Sequence, residues 1–472
     1  VSLTAEKKLW IAKALDKLGV DVIEAGSAVT SKGERTAIKA VAHEGLRPEI
    51  CSFSRALRGD IDYCLECDVD SVHLVVPVSD LHIEKKLRKD RDAVLHMAVD
   101  TTEYATEHGL IVELSAEDAS RADGDFVREF YRQGVAAGAK RLCYCDTVGV
   151  LIPDHTAARF AGLATMAPMS IHCHDDFGLA TANSIAALGA GATQAHVTVN
   201  GLGERAGNAS LEELVMTLES LYGYKTRIST TELYPISRLV SRLTGVPVAQ
   251  NKPIVGENAF THESGIHTHG LLADTRTYEP ITPEMVGRER RIVLGKHAGS
   301  ASVRLALQEL GLDADDEQLS DILKRIKELG DKGKRVTDAD LQAIADAVLE
   351  INREARIKLR ELTVVSGNIV TPTSSIRLSV DDQEVVEAGI GLGPVDAAIN
   401  ALRKAIGKLA DITLEEYHVD AITGGTDALV EVWVKLSRDG RIITARGARA
   451  DIIIASVEAV VEGVNRLLKF KR

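Results

Sequence analysis

Over residues 1–223 the chain alternates short apolar runs with longer amphipathic stretches. Residues 3–19 repeat apolar positions at helical spacing, with Thr4 placed to cap the start and Gly19 to stop the helix. The apolar run VDVIEAG follows, and then strand-like runs at 49–55, 71–79, 110–118, 141–147, 170–176 and 194–201. Helical patterns fill the gaps at 90–109, 123–139, 154–166 and 210–223. This alternation predicts parallel strands joined by helical crossovers. The strands are nearly continuous in Val, Ile and Leu, as expected when both faces are buried.

The pattern yields about seven strands and about eight helices, with a helix first. A (β/α)8 barrel begins with a strand, so the simplest expectation is a TIM barrel whose first strand lies upstream of Val1 and is missing from this chain. An open doubly wound sheet is the alternative, but no GxGxxG stands at a first strand-to-helix turn. Polar residues end most of the apolar runs: Glu24, Ser52 and Arg55, Ser79 and His82, Glu113 with Glu117 and Asp118, Asp146 and Thr147, His172 and His174, and Glu204 through Asn208. A shared barrel mouth explains so many polar strand ends.

Beyond residue 223 the alternation stops. Residues 231–243 read as helix, 251–267 as a polar segment presenting His267, and further helices run to about residue 356. From residue 362 the period changes to two, and three strands and a helix occur twice in succession. The expected division is a barrel over residues 1–230, helical linker subdomains over 231–356, and a C-terminal α+β regulatory and dimerisation domain over 357–472.

Composition narrows the function. A net charge of −13 argues against nucleic acid as a partner, and no apolar run is long enough for a membrane span. With no signal-peptide core and six scattered cysteines, a cytoplasmic protein is expected. Cys64 and Cys67 form a CxxC, but no second pair follows at zinc-ribbon spacing.

The chemistry concentrates at 170–210. In a strand, residues two apart face one side, so His172 and His174 can point into one pocket that would suit a metal. Taken alone, such a pair is more often two satisfied core histidines than two ligands.

Five segments carry a resemblance: ELSAEDASRAD at 113–123, CDTVG at 145–149, HCHDDFG at 172–178, NGLGERAGNASLEE at 200–213 and HESGIHTHGLLADTRTYEP at 262–280. Together they resemble the acetyl-CoA-dependent 2-oxo-acid condensing enzymes, the 2-isopropylmalate, (R)-citramalate and homocitrate synthases, and most closely the archaeal members. The resemblance implies an acyltransferase that adds the acetyl methyl carbon to the ketone of a 2-oxo acid, in leucine or isoleucine biosynthesis. It implies a divalent metal, Mg, Mn or Zn, with His172 and His174 as ligands and Asn208 beside them. It implies Glu113 and His267 for deprotonating acetyl-CoA, Tyr278 for hydrogen-bonding the enolate or thioester oxygen, Thr147 for the substrate carboxylate, and Glu204 for orienting the site or meeting substrate. It implies a homodimer in which the linker region is swapped, so that His267 and Tyr278 serve the partner's barrel, and a C-terminal domain that binds leucine or isoleucine as feedback inhibitor.

One departure matters. The family carries an Arg-Asp pair on its first strand, just before the segment matching VSLT, and this chain starts at Val1. An inactive amino-acid-binding subunit therefore stays open as an alternative, beside homocitrate synthase and a retro-Claisen lyase. For the 2-oxo acid, Ile111 is expected to share a strand face with Glu113 and, being bulky, to favour pyruvate over 2-oxoisovalerate. Such pocket differences are worth only about 1–3 kcal/mol per carbon. Arg121 is a candidate partner for an acidic arm.

Overall fold

A computed structural model describes residues 2–263, 267, 270–271, 273–331, 336–349, 355–381, 383–407, 412–421, 430–438 and 441–469. It forms two compact units, one of residues 1–262 and 270–292, the other of 263–269 and 293–472.

The first unit opens with α1 (Ala5–Leu18), where the Thr4 hydroxyl accepts from Lys7 N and Gly19 closes the helix at φ +96°. Then alternate β1 (Val22–Ser27), α2 (Lys32–Ala42), β2 (Glu49–Arg55), α3 (Arg58–Glu66), β3 (Ser71–Pro77), α4 (Arg91–Glu107), β4 (Ile111–Glu117), α5 (Gly124–Ala136), β5 (Arg141–Asp146), α6 (Pro153–Leu163), β6 (Met169–Cys173), α7 (Ala180–Gly189), β7 (Gln194–His196) and α8 (Leu211–Ser220). The seven strands form one sheet in consecutive order, and every pairing is parallel.

The pleat sorts the side chains. Val72, Leu74 and Val76 of β3 and Val112 and Leu114 of β4 are completely buried, and they share a core with Ile38, Ile61, Val94, Phe130 and Phe160 of the helices. Burying each such side chain contributes about 1.5–3 kcal/mol. The opposite face carries Glu24, Glu49, His73, Glu113, Arg141, Cys143, Cys145, His172 and His196, and these meet one another. Such meetings require a curled sheet. His73 on β3 and His196 on β7 lie four strands apart, roughly 19 Å in a flat sheet, yet their ring centroids are 4.9 Å apart. This is the TIM-barrel architecture expected from the alternation, with β1 and β7 at the sheet edges among the described residues.

The first unit continues through α9 (Leu233–Thr244) to a short parallel pairing of Thr261–His262 with Arg291–Ile292. Buried Glu279 accepts from Arg290 Nε at 2.8 Å and contacts His262 at 3.2 Å, which fixes the segment bearing Tyr278.

The second unit contains α10 (Ser300–Glu309), α11 (Asp316–Asp331) and α12 (Asp338–Val348), which share one apolar core. Two antiparallel sheets follow. The first is β8 (Ile357–Val365), β9 (Thr373–Val380) and β10 (Gln383–Ile390), with α13 (Pro394–Ile406); the second is β11 (Thr413–Ala421), β12 (Val430–Arg438) and β13 (Arg441–Arg449), with α14 (Ile452–Lys469). The internal repeat extends to detail. Gly389 of β10 and Gly447 of β13 are each the seventh residue of their strand. A Cβ on Gly389 would stand 2.4 Å from Ala401 N, and one on Gly447 2.2 Å from Ala455 O, so each helix lies directly on its sheet.

Candidate functional site

Sequence order places a polar residue at the C-terminal end of most strands, and curling brings those ends to one mouth. His172, the fourth residue of β6, pairs in register with Cys145 of β5 and His196 of β7. His174 follows just past the strand. The two Nε2 atoms are 3.3 Å apart, while both Nδ1 atoms are buried without a hydrogen bond. Ligands about 2.0–2.1 Å from one tetrahedral ion stand about 3.3–3.4 Å apart, so the spacing suits chelation of a single cation. Burial, with the charges of His196 and His73, holds His172 well below the ordinary imidazole value; burial and Arg205 lower His174. Both rings are thus neutral near pH 7 and hold lone pairs for a metal.

Asn208 completes this corner. Its side-chain amide lies 3.3 Å from His172 Nε2, and the residue bridges to His174 through the backbone. The turn that delivers it is tight: Gly207 has φ +110°, and a Cβ there would stand 2.1 Å from Gly201 O. Arg205 clamps the turn from outside, donating to Asp176 Oδ1 at 2.7 Å and to Thr147 O at 2.8 Å. Glu204 is exposed in the same turn, and only its backbone carbonyl is engaged, by Gly207 N at 2.9 Å. Thr147 accepts from Asp118 N at 2.8 Å, which leaves its hydroxyl proton available to a ligand.

Other expected residues stand differently. Glu113 is 2% exposed and is the third residue of β4. It accepts from Arg141 Nε at 3.1 Å and Gln194 Nε2 at 3.3 Å, and pairs with His196 Nε2 at 2.8 Å. Burial raises its pKa, but the charges of His196, His73 and Arg141 outweigh it and hold the carboxyl well below the usual range. His267 is exposed and belongs to the other unit. The carboxylate at the C-terminal end of β4 is Glu117, on the same face as Glu113 and joined to Lys86 and His82.

Ile111 requires a correction. It does share a strand face with Glu113, but it is the first residue of β4 and so lies at the N-terminal rim, opposite the end that carries His172, His174 and Thr147. A side chain there does not shrink the mouth. Arg121 is engaged by Asp118, which is fully buried, at 2.8 and 2.9 Å. Tyr278 is 41% exposed. Cys64 and Cys67 are buried at the end of α3, with Cys67 Sγ donating to Arg35 O at 3.6 Å.

The sequence reading missed an interior layer. Glu24, His73, Cys143 and His196 come from β1, β3, β5 and β7, one from each alternate strand, as layers in such barrels do. Glu24 meets His73 Nδ1 at 2.6 Å, and Cys143 Sγ lies 3.9 Å from His196 Nδ1. The hydrogen bond from Cys143 is the chief cause that pulls the Cys145 thiol down to about 6, against burial and with help from His73; burial pushes Cys143 up. The signal available in the sequence was His196 in QAHVTVNG, which faces the same side of the sheet as His172.

Comparison with known proteins defines the class. Residues 1–240 match the HMGL-like family, 254–334 the homocitrate synthase post-HMGL domain, and 335–468 the LeuA allosteric (dimerisation) domain. An (R)-citramalate synthase of Methanocaldococcus jannaschii is 58% identical over 472 residues, covering 99% of this chain and 96% of the relative. A Methanosarcina mazei protein provisionally given the same name is 65% identical, covering 99% and 98%. A Methanopyrus kandleri protein named as a probable 2-isopropylmalate synthase is 54% identical, covering 100% and 96%. An HMG-CoA lyase structure from Bacillus subtilis aligns with TM-score 0.48 and 22% identity over 52% of this chain and 89% of its own. The fold and site define an HMGL-like barrel enzyme with a LeuA-type C-terminal domain. The chain belongs to the acetyl-CoA-dependent 2-oxo-acid condensing enzymes, the family of (R)-citramalate, 2-isopropylmalate and homocitrate synthases.

Proposed function

We propose that this chain condenses acetyl-CoA with pyruvate to give (R)-citramalate, in the cytoplasm and as a committed step toward isoleucine. The reading is carried by the paired His172 and His174 nitrogens at the barrel mouth of a chain that is 58% identical over its length to an (R)-citramalate synthase. Because Ile111 lies at the wrong end of the barrel, the choice of pyruvate rests on the relatives and not on that side chain.

A base removes a proton from the acetyl methyl group; the carbanion carbon then bonds to C2 of the 2-oxo acid as the C2–O π pair moves onto oxygen, which takes up a proton, and water cleaves the thioester to release coenzyme A. A divalent cation, when bound, supplies a Lewis acid and a template for the substrate's carboxylate and ketone oxygens. His172, His174 and Asn208 are the residues that would hold it. Thr147 donates its hydroxyl proton to the substrate carboxylate, and Arg205 keeps Thr147 and Asp176 in register. Exposed Glu204 is left to meet substrate at the rim.

His267 serves as the base toward the methyl group and Tyr278 hydrogen-bonds the thioester oxygen, both acting on the partner's barrel in a homodimer joined through the LeuA-type domain. Glu113 was expected to assist His267. Its bonds to Arg141, Gln194 and His196 instead favour a positioning role, and Glu117 at the strand end is the carboxylate better situated to assist.

A cavity of about 680 Å³ lies in the C-terminal domain, lined by Leu402, Arg403, Ile406, Leu414, Leu436 and Val464. An apolar lining with one guanidinium suits a branched amino acid, whose carboxylate Arg403 would meet. Thiol release from acetyl-CoA, measured with and without pyruvate and a divalent metal, tests the assignment.

A further inference from the structure

The interior layer of the barrel holds a set of donors that the condensation does not use. His73 and Cys145 are each 5% exposed and Cys143 is fully buried. His73 offers one ring nitrogen and the cysteines their Sγ atoms, and these three atoms lie within 4.8 Å of one another. The sulfurs are 3.8 Å apart, and Cys143 Sγ lies 3.9 Å from His196 Nδ1. For a tetrahedral zinc with Zn–S about 2.3 Å, two sulfurs stand about 3.8 Å apart.

A fourth donor, His196, lies beside this group, next to Cys143. His73 Nδ1 is held by Glu24 at 2.6 Å, which leaves Nε2 buried and without a hydrogen bond. His196 Nε2 is held by Glu113 at 2.8 Å, which leaves Nδ1 directed at Cys143. An imidazole that gives one N–H to a carboxylate and turns its other nitrogen inward is the arrangement metal-binding histidines use. Glu24 is the most exposed of these side chains, at 45%.

We propose that Cys143, Cys145, His73 and His196 form a second, soft-ligand site inside the barrel that takes Zn²⁺, with Glu24 and Glu113 orienting the two imidazoles. Its nitrogen and sulfur donors select zinc, whereas the mixed nitrogen and oxygen set of His172, His174 and Asn208 accepts magnesium or manganese as well. On binding, each thiol loses a proton to solvent and each sulfur gives an electron pair to the ion; no redox step is involved. The site stands whether or not the condensation is confirmed.

The test uses the full chain, stripped of metal and reloaded with Co²⁺ as a spectroscopic stand-in for zinc, and then with Zn²⁺ for stoichiometry. Two equivalents of Zn²⁺ per chain are expected, together with a thiolate-to-cobalt charge-transfer band in the near ultraviolet. Cys145→Ser should remove that band and one equivalent, while His172→Ala should retain the band. Should Cys145→Ser not fold, the wild-type and His172→Ala spectra decide alone. A folded wild-type chain that takes one equivalent with no thiolate band, or a band lost in His172→Ala, overturns the proposal.

Discussion

His196 on β7 and Glu113 on β4 meet at 2.8 Å across the curled sheet, and Arg141 reaches the same carboxylate at 3.1 Å. Arg141 also holds Glu49 of β2 at 3.0 Å. Groups from β2, β4, β5 and β7 are therefore tied together inside the barrel, where branched aliphatic side chains would usually pack.

That network makes Glu113 a stability residue. Glu113→Gln removes the buried carboxylate shared by His196 and Arg141, and because Arg141 keeps its pair with Glu49 the change should cost about 1–3 kcal/mol, read from denaturant unfolding. Activity per folded molecule should fall far less than in Glu117→Gln, whose carboxylate lies at the mouth. The opposite ranking would restore Glu113 to the chemistry.

The same carboxyl predicts a pH dependence. Its folded pKa is depressed below the ordinary 4.5, so its contribution is fully present above that value and is lost as pH falls through it toward the folded pKa. Wild-type unfolding free energy should drop steeply below about pH 4.5, and Glu113→Gln should flatten that limb.

At the mouth, His172→Ala and His174→Ala should each abolish tight binding of Mg²⁺ or Mn²⁺ while leaving the barrel folded, since the native rings form no hydrogen bond through Nδ1. Isothermal titration of the metal-free chain checks this. Unchanged affinity in both variants would remove the proposed metal corner.

Thr147→Val should raise KM for the 2-oxo acid about tenfold, consistent with loss of one hydrogen bond to a charged group of about 1.5 kcal/mol. The KM for acetyl-CoA should stay unchanged in steady-state assays. Equal effects on both substrates would mean the substitution disturbs the loop that Asp118 N anchors on Thr147.

Much of this was legible in the sequence. The Thr4 cap and Gly19 stop, the seven parallel strands, the shared face of His172 and His174, and the two rounds of three strands and a helix all follow from local chemistry and from periods of 3.6 and two. What stayed hidden depends on how strands are staggered around a barrel. Period two puts Ile111, Glu113 and Glu117 on one face but does not show how far below the mouth each one lies. Nor does it show that Glu24, His73, Cys143 and His196 share a height, because that follows from the shear of the closed sheet. The partners of Glu113 lie 28, 81 and 83 positions away, beyond any local pattern.

The most direct measurement is thiol release from acetyl-CoA by the purified chain with Mg²⁺ or Mn²⁺, run in parallel with pyruvate, 2-oxoisovalerate and 2-oxoglutarate. The account predicts release with pyruvate well above the other two, lost in His172→Ala, with (R)-citramalate as the product. Release favouring 2-oxoisovalerate or 2-oxoglutarate would contradict the assigned substrate, and no release with any of the three would contradict the condensing activity itself.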